Sequence, residues 1–367
     1  LFHIYYNLIK RIWGDATLKK RVGLIYGGAS GEHEVSIISA ENILENIDFE
    51  KFAVKTYYIN KSNQWFYQGL VEQPGSQLGN DERHSFDPFH LKNEVDVIFP
   101  ITHGPFGEDG HYQAIFELLN IPYVGCDVLS SAISMDKAVM KDIFSANHIP
   151  QGKYLYFTEH MFKTTEQDII DKIESELNYP CFIKPANLGS SVGISKAKNK
   201  EELITSLGIA FNYDEKVVVE EFIKARELEI GVLGNNDYVL SAVGEITTSA
   251  EFYDYDAKYI STANNAMIIP AAIPVEIDAQ IREAAHLVVR ALGVKGISRV
   301  DFFYDDKNNR LLVNEINTLP GFTKNSMYPS LFGAVGISYN ELITKLIEYA
   351  IENQKSKKRH TQKKFTV

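Results

Sequence analysis

Arg299-Val300-Asp301-Phe302-Phe303-Tyr304, then, beyond the polar turn Asp305 to Asn309, Leu311-Leu312-Val313-Asn314-Glu315-Ile316-Asn317: this stretch decides how the chain is read. Two apolar runs joined by a short polar connection predict a β-hairpin. Side chains alternate faces along a strand. Arg299 and Asp301 therefore share a face of the first strand, and Glu315 and Asn317 share a face of the second. A register that sets 301 against 315 gathers three oxygen-bearing side chains beside one guanidinium. Such hard oxygen donors suit Mg²⁺ holding nucleotide phosphates. The competing reading is a solvated hairpin face. Against it stand the common side of all four groups and the loop Leu319-Pro320-Gly321-Phe322-Thr323, which follows directly and would shape a pocket.

Outward from the hairpin, Ile281, Ala285, Val288, Val289 and Leu292 fall on one 3.6-period face, predicting a helix from Asp278 to Leu292. A final helix is expected from Tyr339 to Asn353. Upstream, residues 247–270 read as a long polar and aromatic loop, preceded by strands from Val217 to Ile246. Cys181 to Pro185 and Val192 to Lys196 read as strands flanking a small Gly/Ser loop. Met135 to Asn147 reads as one helix stopped by Pro150. At the N-terminal end, strand Val22–Tyr26, a tight turn Gly27–Gly31 and a helix Glu32–Ile47 are followed by strand Val95–Pro100. The Gly-rich His103 to Gly110, a helix His111–Leu119 and a short strand Pro122–Gly125 come next. This alternation predicts an α/β fold with a parallel sheet whose functional loops lie at the strand C-termini.

At 367 residues the chain has room for two or three domains and a large core. Its two cysteines, Cys126 and Cys181, sit in apolar, strand-like contexts, which favours two buried thiols in a reducing compartment over a disulfide framework or zinc site. A net charge of −11 argues against nucleic acid as a partner. No apolar run approaches the length of a membrane-spanning helix, so no membrane partner is expected. Residues 1–20 place their basic residues after an apolar run, the reverse of a secretory signal, and read as an extension. The basic tail from Lys355 to Val367 reads as a solvated end.

Four further segments carry candidate chemistry. Asn187-Leu188-Gly189-Ser190-Ser191-Val192-Gly193 is small enough for backbone N–H groups to approach phosphate oxygens, with Lys184 just before it; a flexible turn with a surface lysine is the alternative. It matches neither the P-loop nor the dinucleotide fingerprint. Val217 to Ile223 either offers backbone groups to an adenine edge, with Glu227 on ribose hydroxyls, or is a plain edge strand with salt-bridging acids. Phe252 to Tyr259 reads as a lid over a site or as a surface loop; its aromatic density favours packing. Glu32 stands at a helix start, where a carboxylate caps or anchors an ammonium group. His103 is a loop histidine or faces a ligand from the same rim.

Taken together these segments resemble the D-alanine–D-alanine ligases of the ATP-grasp superfamily. The likeness spans residues 21–352. It rests on Gly27-Gly28-Ala29-Ser30-Gly31-Glu32-His33-Glu34-Val35-Ser36; on His103-Gly104 with Gly107-Glu108-Asp109-Gly110; on Ser134-Met135-Asp136-Lys137; on Lys184-Pro185 with Gly189 to Gly193; on Phe252 to Tyr255 with Ala257-Lys258-Tyr259; and on the hairpin with Thr318 to Gly321. Each alone is weak; their order and spacing are specific.

The resemblance implies a three-domain ATP-grasp architecture. Its parts are an extension (1–20), an N-terminal substrate-binding α/β domain (21–125), central (126–219) and C-terminal (220–354) ATP-grasp subdomains, and a tail (355–367). It also implies ATP and two Mg²⁺, with Mn²⁺ as an alternative, and a cytoplasmic homodimer that joins two D-alanine molecules. Lys137, Lys184 and Ser191 would meet phosphates. Glu220, Glu221, Phe222, Ile223 and Glu227 would frame adenine and ribose under Phe252 and Lys258. Asp301, Glu315 and Asn317 would hold metal. Glu32, with His103, would place the first substrate, and Ser326 with Met327 the second. Arg299 and the Gly321 N–H would stabilise an oxyanion. Ser190, Tyr259 and Glu32 would form a hydrogen-bonded chain. By the same resemblance, Tyr259 at the lid position and apolar Met327 after Ser326 favour D-alanine over D-serine or D-lactate as second substrate.

Overall fold

The computed structural model describes residues 19–76, 78–247 and 266–356. Phe252, Lys258 and Tyr259, and nearly all of the N-terminal extension and the basic tail, lie outside the described residues.

The first unit begins with β1 (Lys20–Gly27), whose run from Val22 to Tyr26 is buried on both faces. Helix α1 (His33–Asn46) follows, then β2 (Phe52–Ile59), β3 (Trp65–Val71) and β4 (Val97–Pro100). The sheet order is β3-β2-β1-β4. β1 pairs parallel with β4, as the alternation predicts, and also with β2, which the sequence reading did not include, as it did not include β3, which runs antiparallel to β2. The sheet is therefore mixed. The connection from Asn60 to Gln64 is too short for a crossover, so β2 and β3 close as a hairpin. Helix α2 (His111–Leu118) covers one face. The expected strand at Pro122–Gly125 shrinks to one bridge, Tyr123 to Ile98. Gly125 at φ 119° turns the chain out of the ladder.

The expected single helix at 135–147 is two. Helix α3 (Val128–Met135) stops at Asp136, which takes extended geometry. The Asp136 carboxylate then caps α4 (Lys137–Ala146), accepting from the N–H groups of Ala138 and Val139 at 3.1 Å each. Lys137 thereby becomes the first residue of a helix.

The second sheet comprises β5 (Tyr154–Thr158), then, after α5 (Glu159–Glu176), β6 (Cys181–Pro185) and β7 (Ser195–Ala197), and, after α6 (Lys200–Phe211), β8 (Lys216–Glu221). Its order is β5-β8-β6-β7, antiparallel throughout. The two helices bury one face around Ile173, Ile183, Leu207 and Val219. The register aligns Lys196, Phe182, Glu220 and Tyr154 in one row across the opposite face. Lys184, two residues along β6 from Phe182, projects from that face too.

The third sheet, β11-β10-β9-β12-β13, contains β9 (Arg226–Gly234), β10 (Val239–Thr247), β11 (Ala266–Ile268), β12 (Gly296–Asp305) and β13 (Arg310–Asn317). Helix α7 (Val275–Ala291) packs on it, starting three residues before the expected Asp278. Met140 and Phe144 of α4 join the same core. The decisive hairpin has the expected register: Asp301 faces Glu315 and Arg299 faces Asn317. Beyond them a bulge sets Phe302 against Val313 and leaves Asn314 as the extra residue.

Helices α8 (Met327–Gly333) and α9 (Tyr339–Ser356) return to the first sheet. Phe322, Tyr328, Phe332, Leu342 and Ile347 share a core with Leu24 and Phe99. Burial of each such side chain contributes about 1.5–3 kcal/mol. Asn42 Nδ2 also donates to the Phe322 carbonyl at 2.9 Å, fixing the C-terminal loop against α1.

Candidate active site

Phe182, Lys196 and Glu220 of that row on the second sheet and the acidic hairpin of the third face one cavity of about 1420 Å³. Every candidate residue among the described ones lines it: Glu32, His103, Lys137, Lys184, Ser190, Ser191, Glu220 to Ile223, Glu227, Arg299, Asp301, Glu315, Asn317, Gly321, Ser326 and Met327. They come from all three sheets, so no single local segment makes the site.

On the second sheet, Lys184 Nζ lies 3.1 Å from Glu220 Oε2, and Lys141 Nζ lies 3.4 Å from Glu220 Oε1. All three side chains are buried. Burial alone would raise the Glu220 carboxyl, but the charges of Lys141 and Lys184 outweigh it and hold the group at about 2. Burial tends to lower Lys184 too, and the charges of Glu220 and Glu315 reverse that and raise it. For Lys141 burial prevails and its affinity for a proton is lowered. Lys137, one turn before Lys141 on α4, donates to the Leu188 carbonyl in the Gly/Ser loop. Glu221 points instead to Arg310 at 2.9 Å and accepts from the Lys153 N–H at 2.8 Å.

That loop is strained. Ser190 and Ser191 hold φ of 51° and 59°, left-handed values that L-residues with a Cβ rarely adopt, at about 1–2 kcal/mol each. β7 therefore begins at Ser195, three residues later than Val192. Ser190 donates a short hydrogen bond to Glu32 Oε1, tying the second unit to the first. Glu32 occupies the N-cap position of α1 but makes no side-chain cap bond, so capping is not its role. Gly104, at φ 72°, backs it: a Cβ there would stand 2.8 Å from Glu32 Oε2. His103 is buried, 3.5 Å from Glu108 Oε1 and 3.2 Å from the Leu319 carbonyl. Burial opposes its protonation, but the bond to Glu108 and the charges of Glu108 and Glu32 prevail and raise its pKa.

On the hairpin, Arg299 forks onto both oxygens of Asp301 at 2.7 Å and approaches Glu229 Oε2 at 3.0 Å. Desolvation would lower the guanidinium pKa; Asp301 and Glu229 override it and raise it far above the ordinary value. Asn317 Oδ1 accepts from the Leu319 N–H at 3.0 Å. No three His, Cys, Asp or Glu side chains among the described residues form a metal cluster. Two facing carboxylates and an amide suit Mg²⁺, which dehydrates reluctantly and takes one or two carboxylates plus substrate phosphates. Gly321 permits the turn toward Ser326, whose Oγ would lie 2.9 Å from an added Cβ. Ser326 Oγ accepts from the Thr323 N–H at 2.9 Å, and Met327 is buried behind it.

Sequence reading missed Glu229, Lys141 and Glu108. Glu229 shares the face of Glu227 two residues away and pairs with Asp301, so an acid at i+2 in the apolar strand Arg226–Gly234 was an available signal. Lys141 follows Lys137 at i+4, a spacing that places both on one helical face. Glu108 lay within the quoted Gly-rich segment.

A lysine-bearing sheet and a carboxylate-bearing sheet close on one cavity, an arrangement suited to a polyanionic ligand held with divalent metal. The D-ala D-ala ligase N-terminus and C-terminus family models match residues 21–126 and 143–348. A D-alanine–D-alanine ligase of Ruminiclostridium cellulolyticum is 46% identical over 93% of this chain and 98% of its own length. One from Acetivibrio thermocellus is also 46% identical, over 91% and 96%. Among solved structures, the VanG D-Ala:D-Ser ligase of Enterococcus faecalis superposes with a TM-score of 0.79 at 36% identity, covering 90% of this chain and 99% of that one. The D-alanine–D-alanine ligase of Coxiella burnetii gives 0.77 at 31%, covering 92% and 95%. The chain belongs to the D-alanine–D-alanine ligase family and is an enzyme of that family.

Proposed function

We propose that the cavity binds ATP with divalent metal and joins two D-alanine molecules into D-alanyl-D-alanine for the cell wall. The observation that carries this reading is convergence: Lys137, Lys184, a strained Gly/Ser loop, and Asp301 with Glu315 open into the space that also holds Glu32 and Ser326.

A carboxylate is a poor electrophile, so ATP phosphorylates the first D-alanine to an acyl phosphate. Lys137, Lys184 and the N–H groups of the loop at Ser190 and Ser191 stabilise the transferring phosphoryl group. Glu220 to Ile223 and Glu227 frame the adenosine. Asp301, Glu315 and Asn317 would hold two Mg²⁺ ions, or Mn²⁺, which when bound supply charge neutralisation at the phosphates. Glu32, oriented by Ser190, anchors the first substrate's ammonium beside His103. Ser326 and the backbone at Met327 receive the second substrate's carboxylate. Its neutral amine attacks the activated carbonyl, Arg299 with the Gly321 N–H stabilises the tetrahedral oxyanion, and its collapse breaks the acyl C–O bond, expelling inorganic phosphate while the nitrogen's extra proton passes to the phosphate or solvent. The three-unit division at 21–125, 126–219 and 220–354, the homodimer and the cytoplasmic location belong to the same reading.

Incubation with ATP, Mg²⁺ and a mixture of D-alanine, D-serine and D-lactate, followed by product mass, tests it. D-alanyl-D-alanine as the main product supports the reading. The likeness to a D-Ala:D-Ser ligase makes D-serine the runner-up. A dominant D-Ala–D-Ser product would replace the second-substrate assignment. No nucleotide-dependent product would refute the proposal.

A further inference from the structure

We propose that Lys141 is a positioning residue for the nucleotide phosphates, acting through Glu220 on Lys184; this rests on the reading of the cavity as an ATP site. Lys141 is 1% exposed and does not line the cavity, so it touches no substrate. Burying an ammonium group is costly unless it is paired. Its carboxylate contact within 4 Å, among the described residues, is Glu220 Oε1 at 3.4 Å. The other oxygen of Glu220 holds Lys184 at 3.1 Å, and both Glu220 and Lys184 line the cavity.

Two ammonium groups on one carboxylate leave the trio with one positive charge. Lys141 thus balances the charge of Glu220 from behind across 3.4 Å, and Lys184 retains charge for an anion in the cavity. Without Lys141 the carboxylate would be balanced by Lys184 alone, and the trio would present no net charge to a phosphate. The Tyr154 ring, 5.7 Å from Lys141 Nζ, and the bond from Gln151 Nε2 to the Lys141 carbonyl at 2.8 Å hold the lysine from the far side. The charged groups that act on the pair from neighbouring elements are Glu315 on both lysines and Glu227 on Lys184.

The test is Lys141→Met beside Lys141→Arg in the full chain, with steady-state kinetics in ATP and in D-alanine. Lys141→Met should raise KM for ATP about ten-fold, the effect of a unit charge about 12 Å away at an effective dielectric of about 20. KM for D-alanine should stay at the wild-type value. Lys141→Arg should restore KM for ATP. Adding Glu220→Gln to Lys141→Met returns the trio's charge to one and should recover ATP affinity relative to the single variant. That double variant carries the test if Lys141→Met fails to fold. A folded Lys141→Met with wild-type KM for ATP would overturn the proposal. So would KM for ATP and D-alanine rising together without rescue by Arg, or a double variant that binds ATP no better than Lys141→Met, or, if only the double variant folds, one whose KM for ATP is about ten-fold or more above that of wild type. A wild-type chain that ignores ATP would instead refute the nucleotide reading itself.

Discussion

Replacing Glu220 with Gln removes the shared carboxylate of two buried lysines and keeps its shape. Glu220 is buried, and its carboxyl is moved from an ordinary 4.5 to about 2. At about 1.4 kcal/mol per pH unit, the ionised native form is stabilised by about 3 kcal/mol relative to the unfolded chain. A depressed carboxyl pKa contributes stability that is complete above the unfolded value and is lost as pH falls through the folded one. The contribution should therefore be full at pH 7 and fade between about 4.5 and 2. Urea unfolding followed by far-UV circular dichroism at pH 7, 5, 4 and 3 measures it. Glu220→Gln should be about 3 kcal/mol less stable than wild type at pH 7 and at pH 5, with the gap narrowing below that. Equal stability at pH 7, or a gap that widens on acidification, would refute the argument that the two lysines hold this group ionised.

Three further outcomes are expected. Arg299→Lys keeps a charge but not the fork onto Asp301, so kcat should fall about 10²–10³-fold while binding of a non-hydrolysable ATP analogue persists; an unchanged kcat would remove Arg299 from the chemistry. Ser190→Ala breaks the bond to Glu32 and should raise KM for D-alanine with little change in KM for ATP, as read by initial rates in each substrate. Chelation should abolish turnover, and Mg²⁺ should restore it; Asp301→Asn should then need more Mg²⁺ for half-maximal rate, whereas an unchanged requirement would remove Asp301 from the metal site.

The acidic hairpin was legible because strand alternation fixes faces, but the pairing of Asp301 with Glu315 does not follow from spacing: the turn sets Asp305 against Arg310 and would bring Asp301 opposite Asn314, and the bulge puts Glu315 there instead. Motifs at loops gave the rim residues Glu32 and His103. What escaped was set by tertiary context. The direction of β3 depended on the length of one connection. The break at Asp136 depended on its carboxylate meeting two N–H groups, which helical periodicity does not report. Lys141 reads as one charge on an amphipathic helix; only the approach of β8 turns it into the partner of Glu220. Likewise Glu229 gains its role from Arg299 on the neighbouring strand.

The bulge at Asn314 divides the hairpin into two independently geared lengths. Val313 and Glu315 have the same strand parity, yet Val313 is buried in the core and Glu315 opens to the cavity. The distal length is moored elsewhere, through the Val313 N–H to the Pro150 carbonyl at 2.8 Å and Arg310 to Glu221 at 2.9 Å. Changes in the length of the exposed turn are thus absorbed before they reach the carboxylates. Evolution is free to vary the tip of this ribbon, while deletion of residue 314 would swing the acids and the hydrophobic anchor onto the same side.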